Sequence, residues 1–432
     1  MSSISAHPSP APGPPFSLWG ERLFAGTAIE ALMDDLGRAL AEPHDELFML
    51  GGGNPALIPE VCAVWRQRLH AMLEPGEAVD RMFGVYDPPQ GNARFVKAIA
   101  AVLQRHLGRS IPLEQIAVTA GGQSAFFALF NLLAGPAADG RSRHILLPIA
   151  PEYIGYRDQG FTEGIFRAFH PRIIKRTPHD FRYAIDWDRL EITADTAAIC
   201  VSRPTNPSGN LLAEEDLQRL AEVAAAHGIP LIIDNAYGLP FPQILFQPAR
   251  MLDGPNVINV FSLSKVGLPG VRNAVVLAPE VIARRVTSVV AVTGLANPTV
   301  GQAVVTPMLE NGELEKLSTD AIAPFYQRKL ELARAAFAEA MNGLDYALHE
   351  PGGAMFLWAW FKSLRISTRR LYERLKIRGV IVVPGEPFFF GLAPEDETWP
   401  HREQCMRISF AMPEATVRRG IEIITEEVRR GS

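Results

Sequence analysis

A chain of 432 residues exceeds what one ordinary hydrophobic core holds, so a large domain, a smaller companion and a cleft between them are expected. Its 47% hydrophobic and 21% charged residues exclude a disordered or fibrous chain. A formal net charge of −5, scattered in short mixed groups, excludes a long-range field that would draw in DNA, RNA or an anionic membrane, leaving small molecules as the expected partners.

Residues 1–15, rich in Pro, Ser and Ala, read as a flexible lead-in. They carry neither a basic start nor an apolar stretch long enough for a signal peptide, and no later run reaches membrane-spanning length. The expected location is the cytoplasm. Cys62, Cys200 and Cys405 lie far apart without CxxC spacing, which fits a reducing compartment and gives no zinc or other metal site. Cys200, inside AAICVS, reads as a core residue.

Residues 16–54 include the helical pattern AIEALMDDLGRALAE and are expected to pack on the C-terminal domain. Over 55–314, short β-branched runs at 115–120, 144–150, 197–203, 230–236, 256–264 and 273–279 alternate with amphipathic stretches. That pattern predicts an α/β large domain, a mostly parallel sheet covered by helices. Residues 315–432 run through a long helix, the strand FLWAWF, a second helix, the strands VIVVPG and MRISFA and a charged last helix, as expected of a smaller α+β domain. In open α/β sheets the ligand crevice lies beyond the carboxyl ends of the strands, so functional residues are sought there.

Lys265 follows one such strand in SLSKVGLPGVR. Alone it would read as a surface lysine, but Ser262, Ser264 and Arg272 add phosphate-binding groups to the amine. A Schiff-base amine beside a phosphate site is what pyridoxal phosphate (PLP) requires. Asp234 in IDNAY is a turn cap in the plain reading; in the functional one it pairs with the PLP ring nitrogen while Tyr237 donates to the ring hydroxyl. Asn206 in SRPTNPSGN is suited to the same ring oxygen. Gly121 and Gly122 open a helix directly after a strand, where backbone amides and the helix dipole favour an anion. The pattern is neither GxGxxG nor a Walker A loop, which argues against a nicotinamide dehydrogenase.

Taken in order, LGGGNPALIPE, YDPPQG, GGQSAFF, APEYIGY, VSRPTNPSGN, IPLIIDNAYGLPFP, SLSKVGLPGVR, FLWAWF and CMRISF resemble the class I/II PLP-dependent aminotransferases of fold type I, from about Phe16 to the end. The resemblance implies an aspartate aminotransferase-like fold with PLP as cofactor. It implies that Lys265 carries the cofactor, Asp234 partners the pyridine nitrogen, and Tyr237 and Asn206 serve the ring oxygen. Ser262, Ser264, Arg272, Gly122 and Gln123 would form the phosphate cup, and Tyr153 would lie against the ring. Tyr86 matches a tyrosine that reaches the phosphate of a neighbouring subunit, which implies a homodimer with shared sites. Arg407 matches the residue that binds the substrate α-carboxylate; strand alternation also sets it and Ser409 opposite Met406, Ile408 and Phe410. Gly53 and Asn54 resemble the substrate-side loop. One departure is Asn273 and Ala274 after Arg272, where many relatives have a glycine, so close packing near the phosphate is expected to differ.

The implied reaction is ping-pong transamination with Lys265 as the base, valine and alanine as donors, and pyruvate and 2-oxoisovalerate as acceptors. Another PLP aminotransferase or a PLP lyase is the alternative, because the cofactor cup alone does not choose which bond breaks. A ligand-sensing transcription regulator would need a DNA-binding extension for which the N-terminal stretch has no room.

Overall fold

Aliphatic runs without polar alternation cannot face water on either side, so they are driven to the middle of a sheet covered on both faces. The computed structural model describes residues 15–24, 26–41, 46–74, 76–396 and 398–432, and the expected lead-in lies outside them apart from residue 15. Every residue of the strands Ile116–Thr119, Thr196–Ser202, Leu231–Asp234, Val257–Ser262 and Ala274–Leu277 is buried. With Ser142–Leu147 they make the body of an eight-stranded sheet. Its order is Ile116–Thr119, Ala274–Leu277, Val257–Ser262, Leu231–Asp234, Thr196–Ser202, Ser142–Leu147 and Gly135–Pro136, with Phe166–Ala168 also paired to Ser142–Leu147.

The ladder is parallel from Val257–Ser262 across to Ser142–Leu147. Ala274–Leu277 runs antiparallel to both of its neighbours. All six expected strands are therefore present. The strands not anticipated in this sheet, Gly135–Pro136 and Phe166–Ala168, have two and three residues, too few for a readable period.

Parallel register brings the carboxyl ends of these strands into one row. Ser202 lies opposite Asp234, which lies opposite Val260, two residues before Ser262. The polar residue that ends each apolar run thus faces the same crevice.

A second sheet has the order Val383–Pro384, Cys405–Ser409, Phe356–Phe361, Tyr346–His349, Asp180–Ala184 and Arg172–Thr177. Four of its strands come from the C-terminal part of the chain. The hairpin at 172–184, which lies in sequence among the large-sheet strands, joins them through Leu348 opposite Asp180. Phe48–Met49 pairs in parallel with Val380–Ile381, and Lys376 bonds to Asp35, which ties part of the N-terminal segment to the C-terminal helices. Within the same segment, Arg22 donates to the carbonyl of Gly160 and Trp19 packs edge-on against Phe161, contacts on the large-sheet side. No helix among the described residues is long and apolar enough to cross a membrane.

Trp358 is fully buried in the second sheet and donates its indole N–H to the Tyr183 hydroxyl at 2.8 Å, linking two strands far apart in sequence. Trp358→Ala is expected to lower unfolding free energy by about 3–5 kcal/mol in a denaturant titration, because it leaves a large cavity and removes that bond. A loss below about 1 kcal/mol would contradict this packing.

Candidate active site

Lys265 sits on the single turn Ser264–Val266 directly after its strand. The turn is pinned by the Trp65 indole, which donates to the Val266 carbonyl at 3.1 Å. Gly267 then takes a left-handed conformation (φ 94°), and any side chain there would press on Trp65. So anchored, the Lys265 amine donates to the carbonyl of Gly53 at 2.6 Å. Burial, and next the positive charge of Arg407, lower its pKa to about 8, against the opposing pull of Asp234.

Asp234 ends its strand buried, with Oδ1 accepting from the Ala236 amide at 2.9 Å and Oδ2 accepting from the Tyr156 hydroxyl. Burial pushes its carboxyl up, while those two hydrogen bonds and the Lys265 charge hold it down. Tyr237 is buried, its phenol pushed up by desolvation, and its ring centroid lies 5.5 Å from the Lys265 nitrogen.

Arg407 enters from the second sheet and is only 3% exposed. Its guanidinium donates to the Asn206 side-chain oxygen and to the Gly51 carbonyl, both at 2.7 Å, and lies over the rings of Phe356 and Phe388. Its Nε has no partner, and none of the ion pairs among the described residues includes it. Burial lowers it to about 10. The surface ion pair that such an arginine would ordinarily make is absent here. A desolvated cation held only by neutral oxygens is stabilised most by an incoming anion.

The helix Gly122–Leu133 begins immediately past the strand Ile116–Thr119, with Gly121 at φ 90°. A β-carbon on Gly121 would overlap the Arg272 guanidinium, so glycine is what lets that cation lie against the helix N-terminus. Arg272, itself left-handed at φ 52°, donates to the Ser264 hydroxyl at 3.5 Å and the Pro269 carbonyl at 3.1 Å. Ser262 Oγ accepts from the Ser264 amide at 3.1 Å, and Gln123 donates to the Gly155 carbonyl at 2.7 Å. Guanidinium, hydroxyls and helix dipole converge as a cradle for a phosphate-sized anion. Beyond Arg272, Asn273 is wholly buried and its side chain fills the space a β-carbon on Gly301 would need. The close approach near the cradle therefore relies on a glycine of the facing helix.

These groups share a cavity of about 330 Å³. Its wall includes Gly53, Asn54, Gly122, Gln123, Tyr153, Asn206, Asp234, Tyr237, Ser262, Ser264, Lys265, Arg272 and Arg407. Gly121 lies just behind, under Arg272. Tyr86 does not line the cavity and is 79% exposed. No group of three or more His, Cys, Asp or Glu among the described residues is arranged to hold a metal.

The family description "Aminotransferase class I and II" matches residues 49–424. The chain belongs to this aminotransferase family. Members of that family use PLP, and the enzyme is a transferase of amino groups. It is 44% identical to the valine–pyruvate aminotransferase of Escherichia coli K12, over 96% of this chain and 98% of that one. The solved structure of the valine-pyruvate aminotransferase of Salmonella typhimurium LT2 is 41% identical, with a TM-score of 0.85 over 94% of this chain and 99% of that one. An aspartate aminotransferase of Thermus thermophilus, at 22% identity and a TM-score of 0.74 over 94% of this chain and 98% of that one, shares the fold.

Sequence reasoning missed three polar residues of this aminotransferase site. Glu152, Ser202 and Tyr156 are buried behind Asp234, and Ser202 also reaches the cavity wall. Ser202 ends its apolar run just as Asp234 does, a signal that was available; Glu152 and Tyr156 sit in a turn without a period.

In the cofactor-free protein, the rate at which an amine-directed reagent modifies Lys265 is expected to rise with pH through a midpoint of about 8. A midpoint near the ordinary lysine value would mean that the amine is not desolvated.

Proposed function

We propose that this aminotransferase binds PLP in the cavity described above and exchanges the amino group of L-valine for that of L-alanine, with pyruvate and 2-oxoisovalerate as the 2-oxo acids. The observation that carries the reading is the buried, carboxylate-free Arg407 facing the same cavity as Lys265. The choice of valine and pyruvate rests on the two relatives above 40% identity.

The residues present fit the cofactor. Lys265 would hold its aldehyde carbon, Asp234 its ring nitrogen, Tyr237 and Asn206 its ring hydroxyl, and Tyr153 its ring face. Ser262, Ser264, Arg272 and the amides of Gly121, Gly122 and Gln123 would hold its phosphate; the space kept by Gly121 beneath Arg272 suits that load. Bound there, PLP supplies an electron sink that lets an amino acid release its α-proton and amino group.

The chain's own residues do the rest. Arg407, steered by Asn206 and clamped between Phe356 and Phe388, takes the substrate carboxylate, and the carbonyls of Gly51 and Gly53 mark the side from which substrate approaches. Lys265, with its pKa near 8, is partly unprotonated at neutral pH and therefore accepts and returns the α-proton. The Asp234 carboxylate keeps a positive ring nitrogen stable in a desolvated place.

We also propose a cytoplasmic homodimer in which Tyr86 reaches the partner's phosphate site. Supporting this are Phe83, Val85 and Tyr86, exposed together on one short stretch, and three free cysteines. The division into a large domain of 55–314 and a small one of 315–432 belongs to the same proposal, with the hairpin at 172–184 joined to the small domain's sheet and with 16–54 touching both domains rather than the small one alone.

Incubation of the PLP-loaded protein with L-valine and pyruvate is expected to yield L-alanine and 2-oxoisovalerate, with parallel double-reciprocal lines. Release of ammonia would mark a lyase, and acceptance of aspartate while small apolar amino acids are refused would overturn the substrate assignment. Arg407→Lys keeps the charge but loses the forked geometry, so kcat/KM for these substrates should fall about 100-fold or more while PLP stays bound.

A further inference from the structure

One buried acid, Asp234, is accounted for by the chemistry above; a second, Glu152, is not. Glu152 is completely buried, and its amide donates to the carbonyl of Phe388 at 3.0 Å. Its Oε1 accepts from the Ser202 amide at 2.8 Å, and its Oε2 accepts from the Ser202 hydroxyl at 2.6 Å and the Tyr153 amide at 3.1 Å. The Ser202 oxygen lies 3.4 Å from the Tyr156 hydroxyl, which in turn bonds to Asp234 Oδ2. Four side chains therefore form one unbroken line: Glu152, Ser202, Tyr156, Asp234.

The protons in this line can be counted. Each hydroxyl has one proton to donate. When both acids are ionised, Ser202 must donate to Glu152 and Tyr156 to Asp234, so the Ser202–Tyr156 contact has no proton and two lone pairs face each other. One added proton lets every link donate in one direction. If it sits on Glu152, the direction is Glu152 to Ser202 to Tyr156 to Asp234, and Asp234 stays an anion receiving a bond strengthened by its neighbours. If it sits on Asp234, the line reverses and Asp234 is neutral.

The surroundings choose between the two. Lys265 and the Ala236 amide favour charge on Asp234. On Glu152, burial, with the like charge of Asp234, outweighs the hydroxyl and amide of Ser202 and the amide of Tyr153, which favour charge, and pushes the Glu152 carboxyl up to about 7. The other titratable groups facing it are Tyr153 on its own segment, Tyr156 on the following turn and Cys200 on the adjacent strand; burial raises all three, so they stay neutral. Of the two acids, Glu152 is therefore the one that carries the added proton while Asp234 keeps its charge beside Lys265.

Building on the cofactor assignment above, we propose that Glu152 is a positioning residue that holds a proton while Asp234 is ionised, aligning the Ser202 and Tyr156 hydroxyls toward the carboxylate that faces the cofactor's ring nitrogen.

The test compares PLP-loaded wild type, E152Q and S202A by infrared spectroscopy and by pH titration of the visible absorption band. In wild type at about pH 6, the carbonyl stretch of a protonated buried carboxyl is expected, and E152Q should lack it. E152Q, uncharged like the protonated acid, should keep the midpoint of the visible titration within about half a pH unit of wild type. S202A cuts the line with Glu152 intact, and should move that midpoint and weaken PLP binding about tenfold. A wild type without the protonated-carboxyl stretch overturns the proposal even if a variant fails to fold; so does an E152Q midpoint displaced by about a unit or more, since that would mean a negative charge had been removed. A wild type that takes up no PLP would instead overturn the cofactor assignment on which the proposal rests.

Discussion

Desolvated charge without a contact ion pair is the constraint on which this molecule turns. Asp234 and Arg407 lie buried and Lys265 half-buried around one crevice, and none of them joins a contact ion pair among the described residues. Each buried charge costs several kcal/mol unless something compensates. Neutral groups do part of this: carbonyls of Gly51 and Gly53, the Asn206 amide, the Tyr156 hydroxyl and the rings of Phe356 and Phe388. In the function proposed above, the remainder falls to a ligand that brings its own charge, a carboxylate at Arg407. A site built in this way stores in its fold the electrostatic work that would otherwise be spent reorganising solvent.

Both sheets are needed to hold that arrangement. The large sheet delivers Ser202, Asp234 and Lys265 from the ends of adjacent strands. Arg407 comes from the second sheet, clamped by Phe356 on the neighbouring strand and by Phe388. Glu152 links the large sheet to the turn that follows the second-sheet strand Val383–Pro384, with its carboxyl on Ser202 and its amide on Phe388. The distance between the two charge-bearing ends of the site is thereby set by hydrogen bonds as well as by packing.

The six central strands were legible because covering both faces makes them continuous apolar runs, and the polar residue ending each run marked the crevice. Lys265 and Asp234 could be picked out for that reason, and Arg272 by the Gly/Pro turn that leads from Lys265 to it. The hairpin at 172–184 could not be assigned to the second sheet, because its pairing with Tyr346–His349 spans more than 160 residues and its first strand is largely exposed. Glu152 and Tyr156 were illegible for a related reason: a lone polar residue in a turn has no period, and its importance comes from a line of oxygens that only the folded chain assembles. Asn273 illustrates the reverse case, where a missing glycine in the sequence is offset by Gly301 on another helix.

The most direct measurement of the central claim is the visible spectrum of the PLP-loaded protein before and after stoichiometric L-alanine, with the released 2-oxo acid quantified. The account predicts that the yellow band bleaches as pyruvate appears in equal amount and that 2-oxoisovalerate restores it, with no such cycle in Lys265→Ala. A band that neither L-alanine nor L-valine disturbs would contradict it.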